Sequence, residues 1–295
     1  MVRKVSIILP ALNEAGPLAR VLEELSGLAR SREGKELFEI VVVDDGSTDG
    51  TAQVAAAAGA RVVRHPYNIG NGAAVKAGIR AAGGEIVVLM DADGQHRPEE
   101  VLALLAALDH HAMAVGARRG GDHASLGRRL ANALYNRLAG YVTGRRIPDL
   151  TSGFRAIRAD VARRFVYLLP NTFSYPTTLT LACFKTGLPV AYVPIAARKR
   201  EGKSKIRLLK DGSRFFLIIL KIATFFSPFR VFFPLSLLSA LSGLGYYAYT
   251  YVTERRFTNM AALLLMQSVI LFALALISEQ IAQLRFDRSE RQENP

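Results

Sequence analysis

The sequence contains no tryptophan and a single cysteine, Cys183, in 295 residues. One thiol cannot close an internal disulfide, so stability must come from a packed core, and nothing points to an oxidising compartment. Any motif that needs an indole is excluded. Acid is scarce beside base: 25 Asp and Glu stand against 38 Lys and Arg, a formal net charge of +13. That balance favours polyanionic partners, whether nucleic acid, anionic lipid or a phosphorylated substrate. His65, His96, His110 and His111 lack the spacing of a zinc site. There is no internal repeat, and no low-complexity segment beyond alanine-rich helical stretches.

Two long stretches lack charge altogether, residues 231–253 and 257–278. Each is long enough to cross about 30 Å of hydrocarbon as a helix. A buried core helix is normally shorter and keeps a polar face. The break Glu254-Arg255-Arg256 permits only a tight hairpin, so both ends of the pair lie on one side of a membrane. The basic N-terminal portion and the tail Arg285-Phe286-Asp287-Arg288 outweigh Arg255 and Arg256, which predicts that this side is cytoplasmic. Two such spans leave a soluble nucleic-acid-binding protein the poorest reading, so no nucleic acid partner is expected. Residues 206–230 interleave Phe215, Phe216, Phe225, Phe226 and Phe229 with Lys210, Arg214, Lys221 and Arg230. This reads as amphipathic helix lying among lipid headgroups, broken at Ser227-Pro228. A third span is the alternative, and Lys221 near its middle makes it costly.

Residues 1 to about 200 alternate short apolar runs with helical patterns. The first run, 5–9, is too short for a signal sequence and reads as a strand. Further strands are expected at 39–43, 61–64, 85–90 and 114–117, with helices near 17–29, 51–58, 71–82 and 98–110. That order predicts an α/β domain with a parallel sheet covered on both faces. Ligands of such sheets bind at the carboxyl ends of the strands. Asn13-Glu14, Asp44-Asp45 and Asp91-Ala92-Asp93 all fall there, and three acidic loops on one rim imply a shared site.

The most telling of these loops follows Val87-Val88-Leu89-Met90. An apolar run bounded by Asp and Gly reads as a buried strand. Period-two alternation then points Asp91 and Asp93 to one side. Two converging carboxylates repel unless a cation sits between them, and a hard divalent ion such as Mg²⁺ or Mn²⁺ would bridge them to substrate phosphates. A solvated Asp-Gly turn is the plain alternative. The run before it is too apolar for a surface hairpin, and Gln95 adds another oxygen.

Together, Pro10-Ala11-Leu12-Asn13-Glu14, Asp44-Asp45-Gly46-Ser47-Thr48-Asp49, Asn68-Ile69-Gly70-Asn71-Gly72, Asp91-Ala92-Asp93-Gly94-Gln95-His96 and Thr151-Ser152-Gly153-Phe154-Arg155 resemble family-two inverting glycosyltransferases of the GT-A fold. Arg200-Glu201-Gly202-Lys203-Ser204-Lys205 extends the likeness towards the polyprenyl-phosphate, dolichyl-phosphate mannosyltransferase-like branch. Each motif alone is weak; the ordered set, from residue 5 to 230, is strong. The resemblance implies a GT-A (Rossmann-like), mostly parallel sheet domain. It implies that Pro10, Leu12, Glu14, Val43 and Asp45 hold the base and ribose of a nucleotide-diphosphate sugar. Asp91, Ala92, Asp93 and Gln95 would line the metal and diphosphate, with Asp91, Asp93 and Gln95 as ligands of Mg²⁺ or Mn²⁺. Arg118, Arg128 and Asn132 would face the acceptor phosphate, and Arg200 and Lys205 the donor diphosphate. Asn132 stands where some relatives have Ser, and Arg198, Lys199 and Arg200 crowd the clamp position. Asp149 either orients the acceptor or caps the next segment. The Gly70-Asn71-Gly72 loop either meets a phosphate or is a plain turn.

The implied reaction is transfer of one sugar to a polyprenyl phosphate at the cytoplasmic membrane face. A phosphate acceptor is already an oxyanion and needs no general base, only to be held in line. The expected layout is a catalytic domain over 1–205, interfacial helices over 206–230, a transmembrane hairpin over 231–278 and a cytoplasmic tail over 279–295. A processive polysaccharide synthase is disfavoured because its usual Gln-x-x-Arg-Trp motif needs a tryptophan. A non-catalytic nucleotide-sugar-binding membrane scaffold is the other alternative, against which the intact Asp91, Asp93, Gln95 and Lys205 argue. Two spans are too few for a sugar-lipid pathway, so flipping would need a flippase partner or a homo-oligomer.

Overall fold

Val5, Ile7 and Leu9 point to one face of the first strand and Ile8 to the other, and all four are buried. A strand apolar on both faces must sit inside a sheet covered twice. The computed structural model, which describes residues 3–32, 36–118, 126–171, 175–196, 198 and 224–291, shows such a sheet. Its strands are β1 (Arg3–Ala11), β2 (Glu36–Asp44), β3 (Arg61–Arg64), β4 (Ile86–Leu89), β5 (Met113–Arg118), β6 (Arg155–Arg158) and β7 (Val190–Ile195). They lie in the order β3-β2-β1-β4-β6-β5-β7. β1, β2, β3 and β4 are mutually parallel, β6 runs antiparallel to β4 and β5, and β7 is parallel to β5.

The helices are α1 (Ala15–Ser31), α2 (Thr51–Ala57), α3 (Asn71–Ala81), α4 (Glu100–Ala107), α5 (Leu126–Thr143), α6 (Ala159–Phe165), α7 (Tyr175–Lys185), α8 (Pro228–Glu254) and α9 (Asn259–Arg291). In α1, Leu18, Val21, Leu22, Leu25 and Leu28 form one apolar stripe. With Val101, Leu104 and Leu105 of α4 they share a core with Val5, Ile7 and Leu9. α3 covers the opposite face so closely that a Cβ on Gly78 would collide with Cγ2 of Ile8.

The sheet is larger and less uniform than the five parallel strands expected. β6 escapes a pattern search because Arg155 and Arg158 bracket it, although Arg155 is fully buried. β7 carries Pro194, which reads as a breaker but is tolerated because β7 is the edge strand.

The chain forms two compact units, one of residues 1–137 and 145–206 and the other of 138–144 and 207–295. In the second, a helical turn at 224–226 ends at Ser227, and α8 opens on Pro228, whose fixed φ suits a first helical position. Arg255, left-handed at φ 54°, starts the turn into α9. Ser236 Oγ donates to the Ser268 carbonyl at 2.9 Å and Ser239 Oγ to that of Leu264 at 2.9 Å. Gly243 packs closely on Leu264 and Leu265, where a Cβ would lie 3.1 Å from their side chains. Small residues and satisfied hydroxyls line this seam, while Leu238, Leu241, Val269 and Ile277 point outward. Only 17% of each helix's most apolar window is buried, which is the reverse of a soluble core helix. Residues 206–223, and with them most of the interfacial stretch expected from sequence, lie outside the described residues.

Candidate active site

Adjacent parallel strands β2, β1 and β4 bring the loops after them to one rim. Pro10 and Val43 are paired in register, one residue before the ends of β1 and β2. Leu12, Asn13 and Glu14 follow, and this loop is laced to the one after β2. Asn13 N donates to Ser47 Oγ at 3.0 Å, Thr48 N to Asn13 Oδ1 at 2.8 Å, and Glu14 N to Thr51 Oγ1 at 3.1 Å. Asn13 adopts φ 56°, which its short amide tolerates. Asp45 is buried, and both its oxygens are engaged. His65 Nδ1 lies 2.7 Å from Oδ1, Ile69 N donates to Oδ1 at 3.1 Å, and Gly70 N to Oδ2 at 2.8 Å. Asp45 thus pins the 65–70 loop to this rim. The amino end of α3 is already occupied: Ala73 N donates to the Asn171 carbonyl at 2.8 Å, and Lys76 bonds the Asn171 side chain. Of the amides at this helix start, that of Gly70 is taken by Asp45 and that of Ala73 by Asn171.

β4 ends at Leu89, and residues 92–94 form a turn. The period-two argument for Asp91 and Asp93 stops with the strand; the turn sets their directions. Asp93 is buried and accepts Gln95 N at 3.1 Å, closing an Asp turn around Gly94, which sits at φ +74°. Asp91 is the more open carboxylate, its side chain 36% exposed. Around it stand His96, with Nε2 at 3.6 Å from Oδ2, and Gly153, where a Cβ would lie 3.0 Å from Asp91 Oδ2 and 3.1 Å from the Tyr175 hydroxyl. His96 stacks on Phe154 with ring centroids 4.8 Å apart. Burial raises the pKa of the Tyr175 hydroxyl, and the Asp91 charge adds to the shift, so the phenol stays protonated.

Beyond Asp91 lies an ion pair. Arg118, at the end of β5, reaches Asp149 Oδ2 through Nε at 2.8 Å and Oδ1 through Nη2 at 3.0 Å, and Thr151 Oγ1 through Nη2 at 2.8 Å. Asp149 Oδ1 also accepts the amides of Thr151 and Ser152, each at 3.1 Å. Burial alone would raise the Asp149 pKa; hydrogen bonds and charge from Arg118, with the amides, outweigh it and hold the carboxyl low. The Arg118 pKa is raised by its bonds to Asp149, and the Asp91 charge contributes. Asn136 on α5 fixes the same segment, accepting Leu150 N at 3.1 Å and donating to the Pro148 carbonyl at 2.8 Å. Beneath it Arg155 is wholly buried, bonded to the carbonyls of Ser152 and Pro176 and to Thr180. Cys183 is buried too, its thiol pushed up to about 12, and offers no nucleophile.

Asp91, Ala92, Asp93, Gln95, Arg118 and Asp149 thus gather at the carboxyl side of β4 and β5, and Pro10, Leu12, Glu14, Val43 and Asp45 at that of β1 and β2. Arg128 and Asn132 recur every fourth residue with Asn136 along α5, and their side chains lie outside the described residues, as do Lys199, Arg200 and Lys205. Arg198 is taken up by Glu24, with Nη1 at 2.8 and 3.0 Å from its two oxygens. Sequence reasoning gave no role to Tyr175, Arg155 or Glu24; for Arg155 the Thr-Ser-Gly-Phe-Arg motif was the available signal.

Among the described residues no three Asp, Glu, His or Cys side chains form a closed metal cage. Asp91 and Asp93 instead suit a hard cation held by one or two carboxylates and completed by substrate phosphates, as Mg²⁺ and Mn²⁺ prefer.

The glycosyl transferase family 2 model matches residues 6–165, and that of the GtrB C-terminal hairpin matches residues 227–284. The undecaprenyl-phosphate 4-deoxy-4-formamido-L-arabinose transferase of Pseudomonas fluorescens is 31% identical over 258 residues, covering 82% of this chain and 70% of that one. The protein of the same name from Edwardsiella ictaluri is 33% identical over 221 residues, 70% of this chain and 64% of that one. Among solved structures, the glucosyl-3-phosphoglycerate synthase of Mycobacterium tuberculosis in complex with Mn²⁺ and UDP-glucose is 28% identical, with a TM-score of 0.56 over 74% of this chain and 77% of that one.

Proposed function

The chain belongs to glycosyl transferase family 2, and from that premise we propose that it moves one sugar from a nucleoside-diphosphate sugar to a polyprenyl phosphate, with inversion at the anomeric carbon. The observation that carries the choice of acceptor is the state of Asp149. Its carboxylate is engaged by Arg118 and two amides and its proton affinity is lowered, so it is a poor general base. A hydroxyl acceptor needs such a base; a phosphate does not. The names of the curated relatives and the hairpin match support the same acceptor class.

In this reading Pro10, Leu12, Glu14, Val43 and Asp45 hold the nucleoside. Asp91 and Asp93, with Gln95 beside them, would hold Mg²⁺ or Mn²⁺ near the diphosphate, and a bound cation would supply charge neutralisation for the leaving group. Arg118, fixed by Asp149, and the α5 residues Arg128 and Asn132 orient the acceptor phosphate, while Arg200 and Lys205 complete the neutralisation of the diphosphate. An acceptor oxygen attacks the anomeric carbon, and the nucleoside diphosphate departs with the electron pair of the broken C–O bond. Positioning and charge stabilisation do most of this work.

The apolar hairpin of α8 and α9 associates the chain with a membrane. We place the catalytic portion, residues 1–205, on the cytoplasmic side, followed by interfacial helices over 206–230, the hairpin and the tail. Carrying the product across would require a flippase partner or an oligomer. The test is incubation of purified protein with labelled nucleotide sugars and undecaprenyl or dolichyl phosphate. Label that moves into the organic phase in a metal-dependent way supports the proposal; free sugar alone in the aqueous phase refutes it.

A further inference from the structure

Arg198 is the one cation of the crowded Arg198-Lys199-Arg200 run that the described residues include, and its bonds join helix α1 to the candidate metal loop. Its guanidinium grips both oxygens of Glu24 on α1. Its amide donates to the Gln95 carbonyl at 2.8 Å. Two residues upstream, Ala196 N donates to Glu100 Oε1 at 2.7 Å, tying the exit of β7 to α4 as well. One turn before Glu24 on the same helix, Arg20 lies against Gly94, where a Cβ would be 2.9 Å from Nη2. Helix α1 therefore supports the 91–95 loop on two successive turns, directly at Gly94 and through Arg198 at Gln95.

We propose that Glu24 and Arg198 form a brace that positions the Asp91–Gln95 loop for cation binding, and that Arg198 is not a ligand of the donor diphosphate. The inference rests on the proposed role of that loop and adds residues that hold it. A metal-binding loop works only if its donors stay within roughly 0.5 Å of their productive places, which loop backbones achieve through bonds to rigid elements. Glu24 sits mid-helix on the packed face-edge of α1, so it is such an anchor. Gln95 and Arg198 are far apart in sequence, so a fault in the brace frees the loop without unfolding either element.

The test uses full-length protein in neutral detergent. Retention of Mn²⁺ is measured with UDP, GDP, CDP and ADP in turn, continuing with the nucleotide that the wild type binds. Arg198→Ala and Glu24→Gln should each weaken Mn²⁺ retention about tenfold or more, the usual scale for residues that orient metal ligands. The double variant should be no worse than either single one, and the charge swap Glu24→Arg with Arg198→Glu should recover most of the loss. Nucleotide binding without metal should stay unchanged in all of them, as should the melting temperature to within a few degrees. Loss of metal-free nucleotide binding in Arg198→Ala but not in Glu24→Gln would overturn the proposal by making Arg198 a diphosphate ligand. So would effects below about fivefold in both, the scale of an ordinary exposed pair. A wild type that retains no Mn²⁺ with any of the four nucleotides would instead bring down the metal-loop reading itself.

Discussion

Arg118 holds Asp149 with two nitrogens, Nε at 2.8 Å from one oxygen and Nη2 at 3.0 Å from the other, and this pair joins the end of β5 to the segment that carries Gly153. The fork fixes the guanidinium plane, and the Asp91 charge adds to the raised Arg118 pKa. Lysine cannot reproduce that geometry.

Asp149→Asn should therefore cost stability as well as activity. Loss of the charge-assisted bonds is worth about 1–2 kcal/mol, at the low end because Arg118 is partly exposed. The Asp149 pKa is depressed on folding, so its contribution is full above the unfolded value of about 3.9 and disappears as pH falls through the lower folded value. Melting curves of wild type and variant should differ at pH 7 and draw together as pH falls below the unfolded value of about 3.9. A difference independent of pH would contradict the assignment.

Arg118→Lys should raise the apparent KM for lipid phosphate, lower turnover, or both, by roughly tenfold or more in kcat/KM, while nucleotide binding is nearly unchanged. Steady-state kinetics in neutral detergent, where no anionic lipid is present, is the check. Wild-type kinetics there would remove Arg118 from the acceptor site.

Gly153→Ala puts a methyl 3.0 Å from Asp91 Oδ2 and 3.1 Å from the Tyr175 hydroxyl. Turnover should fall and the metal concentration for half-activity should rise, with the fold intact. Removing the hydroxyl with Tyr175→Phe should restore part of the loss, because it returns space on one side of the methyl. A double variant no better than Gly153→Ala would mean that Asp91 alone is displaced.

Much of this was legible in the sequence because strand, turn and acid follow one another at β1, β2 and β4. The two charge-free runs gave α8 and α9 for the same reason: length and apolarity decide spanning helices with little help from tertiary context. β6 was not legible, since its arginines pattern as surface and only the surrounding Ser152, Pro176 and Thr180 make Arg155 an interior residue. The brace of Glu24 and Arg198 was hidden because it depends on residues 174 positions apart. The direction of Asp93 was mistaken at the level of mechanism: a turn stabilised by the Gln95 amide, not strand alternation, sets it.

Arg155→Ala should destabilise the catalytic unit by about 3 kcal/mol or more, since it leaves a cavity and removes the bonds to the Ser152 and Pro176 carbonyls and to Thr180. Arg155→Met, which fills the volume, should cost less. Chemical denaturation of the two variants is the check; equal losses would assign the effect to the bonds alone.

The most direct measurement is the identity of both products of one turnover. With Mn²⁺, a nucleotide sugar that supports transfer, and undecaprenyl phosphate, the account predicts one nucleoside diphosphate released per lipid converted. Mass spectrometry of the lipid should show a single sugar on a single phosphate, and Asp93→Asn or excess EDTA should abolish both products. Release of nucleoside monophosphate with a lipid diphosphate, addition of more than one sugar, or undiminished transfer in EDTA would contradict it.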